Sequence, residues 1–410
     1  MNIVVIGSGM YVSGRGTDEY GIVMPAICEW KKAYPEGCVD IIGTHGQRMD
    51  QTKIRIQQLQ MAMGLKFPIR FHPSSHVTDP YYYKKIMTRI SVPKAAIIAV
   101  PDHLHFTVAY DAISNGFHTL VAKPLTPTIK EAISLCQLQK KKKVYCAVEF
   151  HKRYDEANIK LKDILRSGKL GVPLYFVVEY SQRKHIPYEA FSSWVSKTNV
   201  FQYLGVHYVD IIYYLTGSLP VRAMAIGQKK WLKGKGINNY DAIQGVLEWK
   251  GFQGLHFFSY ILTHWVDPNL SSALSDQRIQ VIGTSGKFSS DQKYRGVHVI
   301  SDEKGVEDPN PYFTLGYGVD GFRRYSGYGI RSIHSFLTDA YLISKKRLNL
   351  EDVSKDAPTF QEALVSTAAI DAINRSLKSN GKWVTIKHEK KRFIHDVSFF
   401  NQRRGCELPS

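Results

Sequence analysis

The sequence predicts an α/β protein with a doubly wound parallel sheet at its N-terminus, followed by an α+β domain carrying a large, open and mostly antiparallel sheet. Three observations carry this. Over the first 150 residues short apolar runs alternate with helical patterns, as when crossover helices join parallel strands. Beyond them strand-like runs follow one another with glycine turns between, as in Lys250-Gly251-Phe252-Gln253-Gly254, which marks antiparallel neighbours. And 410 residues, 44% of them hydrophobic, suffice for two cores. The expected division is 1–150, 151–386 and a basic tail, 387–410.

In order, Ile3–Ile6, Val39–Ile42, Ala95–Val100, His118–Val121 and Val144–Val148 read as the buried strands of the first domain. Thr128 with Glu131 forms a capping box, and Ile129, Ala132, Ile133 and Cys136 give the helix behind it one apolar face. After a helix over 155–167 come strands at Leu174–Tyr180, Val221–Ile226, Ala242–Trp249, Leu255–Ile261, Arg278–Ile282 and Val297–Ile300.

Composition narrows the function. No run approaches the roughly 20 apolar residues of a membrane helix, and a strand starting at residue 2 leaves no room for a signal peptide, so a cytoplasmic protein is expected. Five cysteines without a CxxC pair suggest neither a disulfide framework nor a zinc site, and no His/Cys/Asp/Glu cluster has metal-ligand spacing. The net charge of +18 comes in scattered groups with no nucleic-acid-binding motif, which favours an anionic small molecule over nucleic acid.

The first strand runs into Gly7-Ser8-Gly9, the start of a dinucleotide-binding turn, but the third glycine of that fingerprint is replaced by Val12. A helical pattern resumes at Ile22, so Gly21 stands in for the missing glycine and Met10–Tyr20 reads as an insertion. Gly7, Gly9, Met10 and Tyr11 then border the pyrophosphate. Arg15, between Gly14 and Gly16, either reaches a phosphate or pairs with Asp18. The second strand ends in Gly43-Thr44-His45-Gly46-Gln47-Arg48, without the carboxylate an NAD site places there. Thr44, His45 and Arg48 favour NADP over NAD as a phosphate clamp, unless Arg48 is simply a surface arginine.

Three stretches, AVPDHLH (99–105), VAKPL (121–125) and GVHYVDIIYYLTG (205–217), together with RSGKLG, VIGTSGKF and SNGKWVTI, resemble the Gfo/Idh/MocA oxidoreductases over nearly the whole chain. The resemblance implies an N-terminal Rossmann domain, a C-terminal sheet that serves as the interface of a homodimer or homotetramer, and hydride transfer between NAD(P) and a hydroxyl-bearing carbon of a sugar, polyol or anionic sugar derivative. It implies that Pro101 and His105 lie beside the nicotinamide, that Lys123 touches both cofactor and the reacting hydroxyl, and that His207 accepts the proton. Two positions depart from the pattern: Ala122 replaces the glutamate before the lysine, and Tyr203 replaces an aspartate before the histidine. Tyr203 either relays a proton or packs with His207 inside a helix. Arg153 and Trp194 correspond to substrate-cleft positions; Arg183, Lys184 and His185, after the first strand of the second domain, offer positive charge to an anionic substrate group, and the glycine- and tyrosine-rich stretch 316–329 is expected to border the cleft as a loop. The same fold resembles redox-neutral NAD-dependent glycosidases and non-catalytic cofactor-sensing regulators, which are the alternatives.

Overall fold

The structure, a computed structural model, describes residues 1–388; the basic tail from residue 389, with Cys406, lies outside the described residues. Contacts divide the chain into one unit of Met1–Asp155 with Asn310–Thr367 and another of Glu156–Pro309 with the residues from Ala368. The division is therefore not linear at residue 150: the segment from 310 to 367 returns to the first unit.

That unit holds six parallel strands, β1 (Asn2–Ile6), β2 (Val39–Ile42), β3 (Ile69–His72), β4 (Lys94–Ile98), β5 (His118–Val121) and β6 (Cys146–Val148). Their order is β3-β2-β1-β4-β5-β6, which reverses at β1/β4 and opens a cleft there at the carboxyl ends of the strands. The helices are α1 (Met10–Ser13), α2 (Val23–Ala33), α3 (Gly46–Ala62), α4 (Tyr82–Met87), α5 (His105–Ser114) and α6 (Ile129–Lys142). The capping box is present: the Thr128 side chain accepts from the Glu131 backbone N–H and its hydroxyl donates to the Glu131 carboxylate at 2.8 Å. β3 was not anticipated, because Ile-Arg-Phe-His is short, mixed and bracketed by Pro68 and Pro73. Its Arg70 and His72 close on Asp40 of β2, at 2.7 to 2.9 Å.

The return segment explains itself by packing. The stretch expected as a cleft loop is a hairpin, Leu315–Val319 with Phe322–Ser326, leading into a helix, Tyr328–Ser344. Ile330, Ile333, Phe336, Leu337 and Ala340 of that helix join the core with Trp30, Val5 and Ile41, and the Trp30 indole donates to Thr338 Oγ1 at 3.2 Å. The hairpin covers helices of the sheet: the Phe322 ring lies against Gly64, and the Tyr325 N–H donates to Glu29.

The second unit is built on α7 (Glu156–Arg166), β7 (Pro173–Arg183), α8 (Val206–Thr216), β8 (Leu219–Gln228), β9 (Ala242–Lys250), β10 (His256–Asp267), β11 (Ser275–Gly283) and β12 (Lys287–Asp291). Its sheet runs β12-β11-β7-β10-β9-β8 and ends on Val384–Thr385, antiparallel throughout except at β7/β10. Trp249, Phe257 and Phe176 stack at its centre. The strand expected at Val297–Ile300 is Val299–Ser301, and it stays outside this sheet. Its three residues are exposed and pair locally with Gly305–Glu307.

Candidate active site

β1 delivers the chain into the glycine turn. Gly7 has φ of +116°, and a Cβ there would stand 2.2 Å from the Ala99 carbonyl oxygen, whereas a Cβ on Gly9 would meet nothing within 4 Å. One glycine permits the turn and the other leaves open space for a ligand, as a pyrophosphate requires. The expected insertion is shorter than its bounds suggested. Met10–Ser13 already forms one helical turn on Gly9, with the Val12 and Ser13 N–H groups bonded to the Gly9 carbonyl. Gly14 ends it in the left-handed region, and the chain returns at Gly21, whose α-carbon lies against the carbonyls of Met10 and Tyr11. Gly21 thus provides the close approach expected of the displaced glycine.

Arg15 reaches back to this turn, its Nη1 donating to Ser8 Oγ at 3.4 Å. Desolvation, and then the Arg48 guanidinium nearby, hold Arg15 below its usual range. Two cations brought together are a demand for an anion. Beside Arg48 lies a cleft of about 380 Å³ lined by His45, Gln47, Arg48, Ser75, His76 and Thr78, with no carboxylate among them. The cleft is built by zipping the loop after β2 to the loop after β3: the Gly46 N–H donates to Val77 O, the Asp79 N–H donates to Thr44 O, and His45 Nδ1 lies 3.2 Å from Thr78 Oγ1. The contribution of Ser75, His76 and Thr78 was not legible, since they are distant in sequence and carry no motif. These residues fit a dinucleotide: an open glycine turn suited to a pyrophosphate, and cationic and hydroxyl donors suited to polar groups of the adenosine half.

At the other side of the switch point, β5 ends on Ala122-Lys123-Pro124. Lys123 keeps partial exposure, but its ammonium is desolvated enough to push its pKa down to about 7, against the opposing pull of Glu149 and Asp102. Neither carboxylate was a candidate from sequence, because β6 and the turn after β4 bring them in from afar. Pro101 starts that turn. His105 is 1% exposed and faces inward, Nδ1 at 2.7 Å from Pro124 O and Nε2 at 2.9 Å from Val100 O. With its nitrogens against these backbone carbonyls it is a brace between the ends of β4 and β5. A neutral imidazole has one N–H to give, so His105→Ala leaves one buried carbonyl without its donor and is expected to cost about 1–3 kcal/mol, read as a lower urea midpoint at unchanged m; an unchanged midpoint removes the brace. Arg153 is 3% exposed, and its Nη1 donates to the Asp356 carbonyl within the first unit.

The second unit gathers the remaining candidates on and beside α8. His207 is buried, 6.1 Å from the Tyr180 ring between centroids. Tyr203 precedes it by one turn within Phe201–Gly205, a π-helical stretch, and its ring meets Phe191 (4.9 Å), Trp194 (6.2 Å) and Trp265 (6.4 Å). Burial, with Tyr203 adding to it, pushes the Tyr180 hydroxyl well above the usual phenol range. Tyr203 and Trp194 therefore share one aromatic cluster, which adjoins Tyr180. Lys184 lies apart from it, its Nζ over the Trp231 ring at 5.4 Å. Among the described residues no helix is long and apolar enough to cross a membrane.

Comparison with known proteins follows the same division. A family model described as the oxidoreductase family with NAD-binding Rossmann fold matches residues 50–150, and one described as the GFO/IDH/MocA C-terminal domain matches 158–289. The scyllo-inositol 2-dehydrogenase (NAD(+)) of Bacillus subtilis is 26% identical over 220 residues, 53% of this chain and 61% of that one. An uncharacterized oxidoreductase of Schizosaccharomyces pombe is 34% identical over 80 residues, 20% of this chain and 22% of that one. The matches thus span less than two thirds of these relatives. The crystal structure of scyllo-inositol dehydrogenase from Lactobacillus casei with bound NAD(H) and scyllo-inositol superimposes with a TM-score of 0.66 at 15% identity, covering 94% of this chain and 99% of that one; this likeness is one of fold.

Proposed function

Because the chain belongs to the Gfo/Idh/MocA oxidoreductase family, we propose that it transfers a hydride between NAD(P) and a hydroxyl-bearing carbon of a sugar, polyol or cyclitol. The observation that carries this reading is Lys123: a desolvated lysine at the carboxyl end of a central strand, faced by two carboxylates. When bound, the dinucleotide supplies the hydride acceptor or donor. The chain's own residues do the rest. Lys123 orients and polarises the reacting oxygen by donating a hydrogen bond to it. His207 takes the hydroxyl proton in the oxidative direction, a task suited to a group whose ordinary pKa of about 6.5 is near working pH. Tyr203 stands one turn away as a relay that can donate or accept.

NADP is the favoured cofactor. The cleft at His45 and Arg48 is lined by a guanidinium, imidazoles, hydroxyls and an amide and by no carboxylate, which suits a 2′-phosphate and leaves a ribose hydroxyl without its carboxylate acceptor. The one carboxylate on β2, Asp40, is fully engaged by Arg70 and His72.

The test is reduced-nicotinamide fluorescence with purified protein, NAD⁺ or NADP⁺, and a panel of cyclitols, sugars and sugar acids. Turnover is expected with at least one polyol or sugar, at a lower KM for NADP⁺ than for NAD⁺. Arg48→Ala should raise the NADP⁺ KM about tenfold or more, leaving that for NAD⁺ nearly unchanged. Equal loss for both cofactors ends the NADP assignment. Turnover of a glycoside without net cofactor change ends the dehydrogenase reading.

A further inference from the structure

Glu149 is a buried carboxylate that the mechanism above does not use. It follows β6 directly, and the parallel register pairs Val121 with Val148, so the Glu149 N–H donates to Val121 O at 2.8 Å and the residue lies beside Ala122 and Lys123. It is 4% exposed. Two donors fix its orientation. His151 Nδ1 donates to the carboxylate at 2.9 Å, and Ser332 Oγ, from the helix Tyr328–Ser344, donates to Oε1 at 2.6 Å. His151 is itself held between Tyr328 and Phe313, at 5.7 and 5.0 Å between ring centroids. A carboxylate so buried persists only if its charge is answered, and Lys123 is a cation beside it.

We propose that Glu149, oriented by His151 and Ser332, is the positioning residue that keeps the ammonium of Lys123 charged at the strand end, where a carboxylate is absent from position 122. The proposal rests on the reading of Lys123 as the group that donates to the reacting oxygen. It assigns a task to the return segment as well, since Ser332 holds the carboxylate from outside the contiguous Rossmann sequence. Asp102, from the turn after β4, and His105, at the start of α5, also face Lys123, and His151 and Tyr154 face Glu149. Desolvation lowers the lysine's affinity for its proton, and Glu149 is the larger of the two carboxylate influences opposing it.

Competitive labelling with trace acetic anhydride tests this without any substrate. The acetylation rate of Lys123, read by mass spectrometry against pH, reports the midpoint of its titration. Glu149→Gln is expected to lower that midpoint by about one pH unit, Glu149→Asp to keep it close to wild type, and Ser332→Ala to lower it by a smaller amount. An unshifted midpoint in Glu149→Gln, or an equal fall in Glu149→Asp, overturns the proposal. Should Glu149→Gln fail to fold, Ser332→Ala decides, and a wild-type midpoint there overturns it. A midpoint that shifts as expected in a protein inactive on the whole panel faults the hydride-transfer reading instead, whereas activity with no shift faults this inference alone.

Discussion

Replacing Lys123 by alanine is expected to lower kcat/KM by at least about 3 kcal/mol, a hundredfold or more, on whichever polyol or sugar the wild-type protein turns over. The size follows from what is removed: a hydrogen-bond donor preorganised in a desolvated site, aimed where negative charge develops on oxygen. The fall should sit mainly in kcat, because an interaction strengthened in the transition state contributes little to ground-state binding. A raised KM for the cofactor with kcat intact would instead make Lys123 a cofactor ligand only. The same variant carries a second expectation, for the dependence of stability on pH. In the folded chain Lys123 titrates near 7, against 10.5 ordinarily. Between those values the unfolded chain binds more protons than the folded one, so wild-type stability rises with pH across that window. Lys123→Ala removes this slope. Urea titrations at several pH values read it, and a wild-type slope retained in the variant would detach it from Lys123.

Legibility in the sequence followed locality. β1, β2, β4 and β5 announced themselves because a strand buried on both faces is a short, mostly apolar run, and the capping box at Thr128 is a rule of nearby residues. β3 failed because Arg70 and His72 occupy its pleat to answer Asp40, an arrangement that local hydrophobicity cannot show. The hairpin at 315–326 and the helix after it were misplaced for a related reason. Their amphipathic pattern says that they bury one face but not which sheet receives it, and Trp30 and Gly64 decide that from hundreds of residues away. In the first unit, Lys123 stood out as a candidate through its motif. Glu149 and Asp102 did not, since only the strand order brings them to Lys123. His105 and Arg153 show the converse: a motif places a residue near the site without telling whether its side chain points outward, and both turn inward onto backbone carbonyls.

The interrupted glycine turn makes the sharpest structural claim, and Gly21→Ala tests it. Gly21 has φ of +73°, and a Cβ there would stand 2.6 Å from Met10 O, 2.8 Å from Tyr11 O and 2.8 Å from Gly14 N. An L side chain in the left-handed region costs roughly 1–2 kcal/mol, and crowding against backbone adds about 1–3 kcal/mol. The sum, about 3 kcal/mol, should appear as a fall of several degrees in Tm. Gly16 is the internal control. Its φ is +84°, but a Cβ there meets nothing within 4 Å, so Gly16→Ala carries the dihedral cost without the collision. The difference between the two variants therefore isolates the packing of the returning chain against α1. That packing is what holds Met10–Ser13 on Gly9, so Gly21→Ala should also weaken binding of both NAD⁺ and NADP⁺, while Gly16→Ala leaves their affinities near wild type. Equal effects of the two substitutions would mean that Gly21 is needed only for its backbone conformation, and that the long excursion from Gly14 to Ile22 is not closed against the turn.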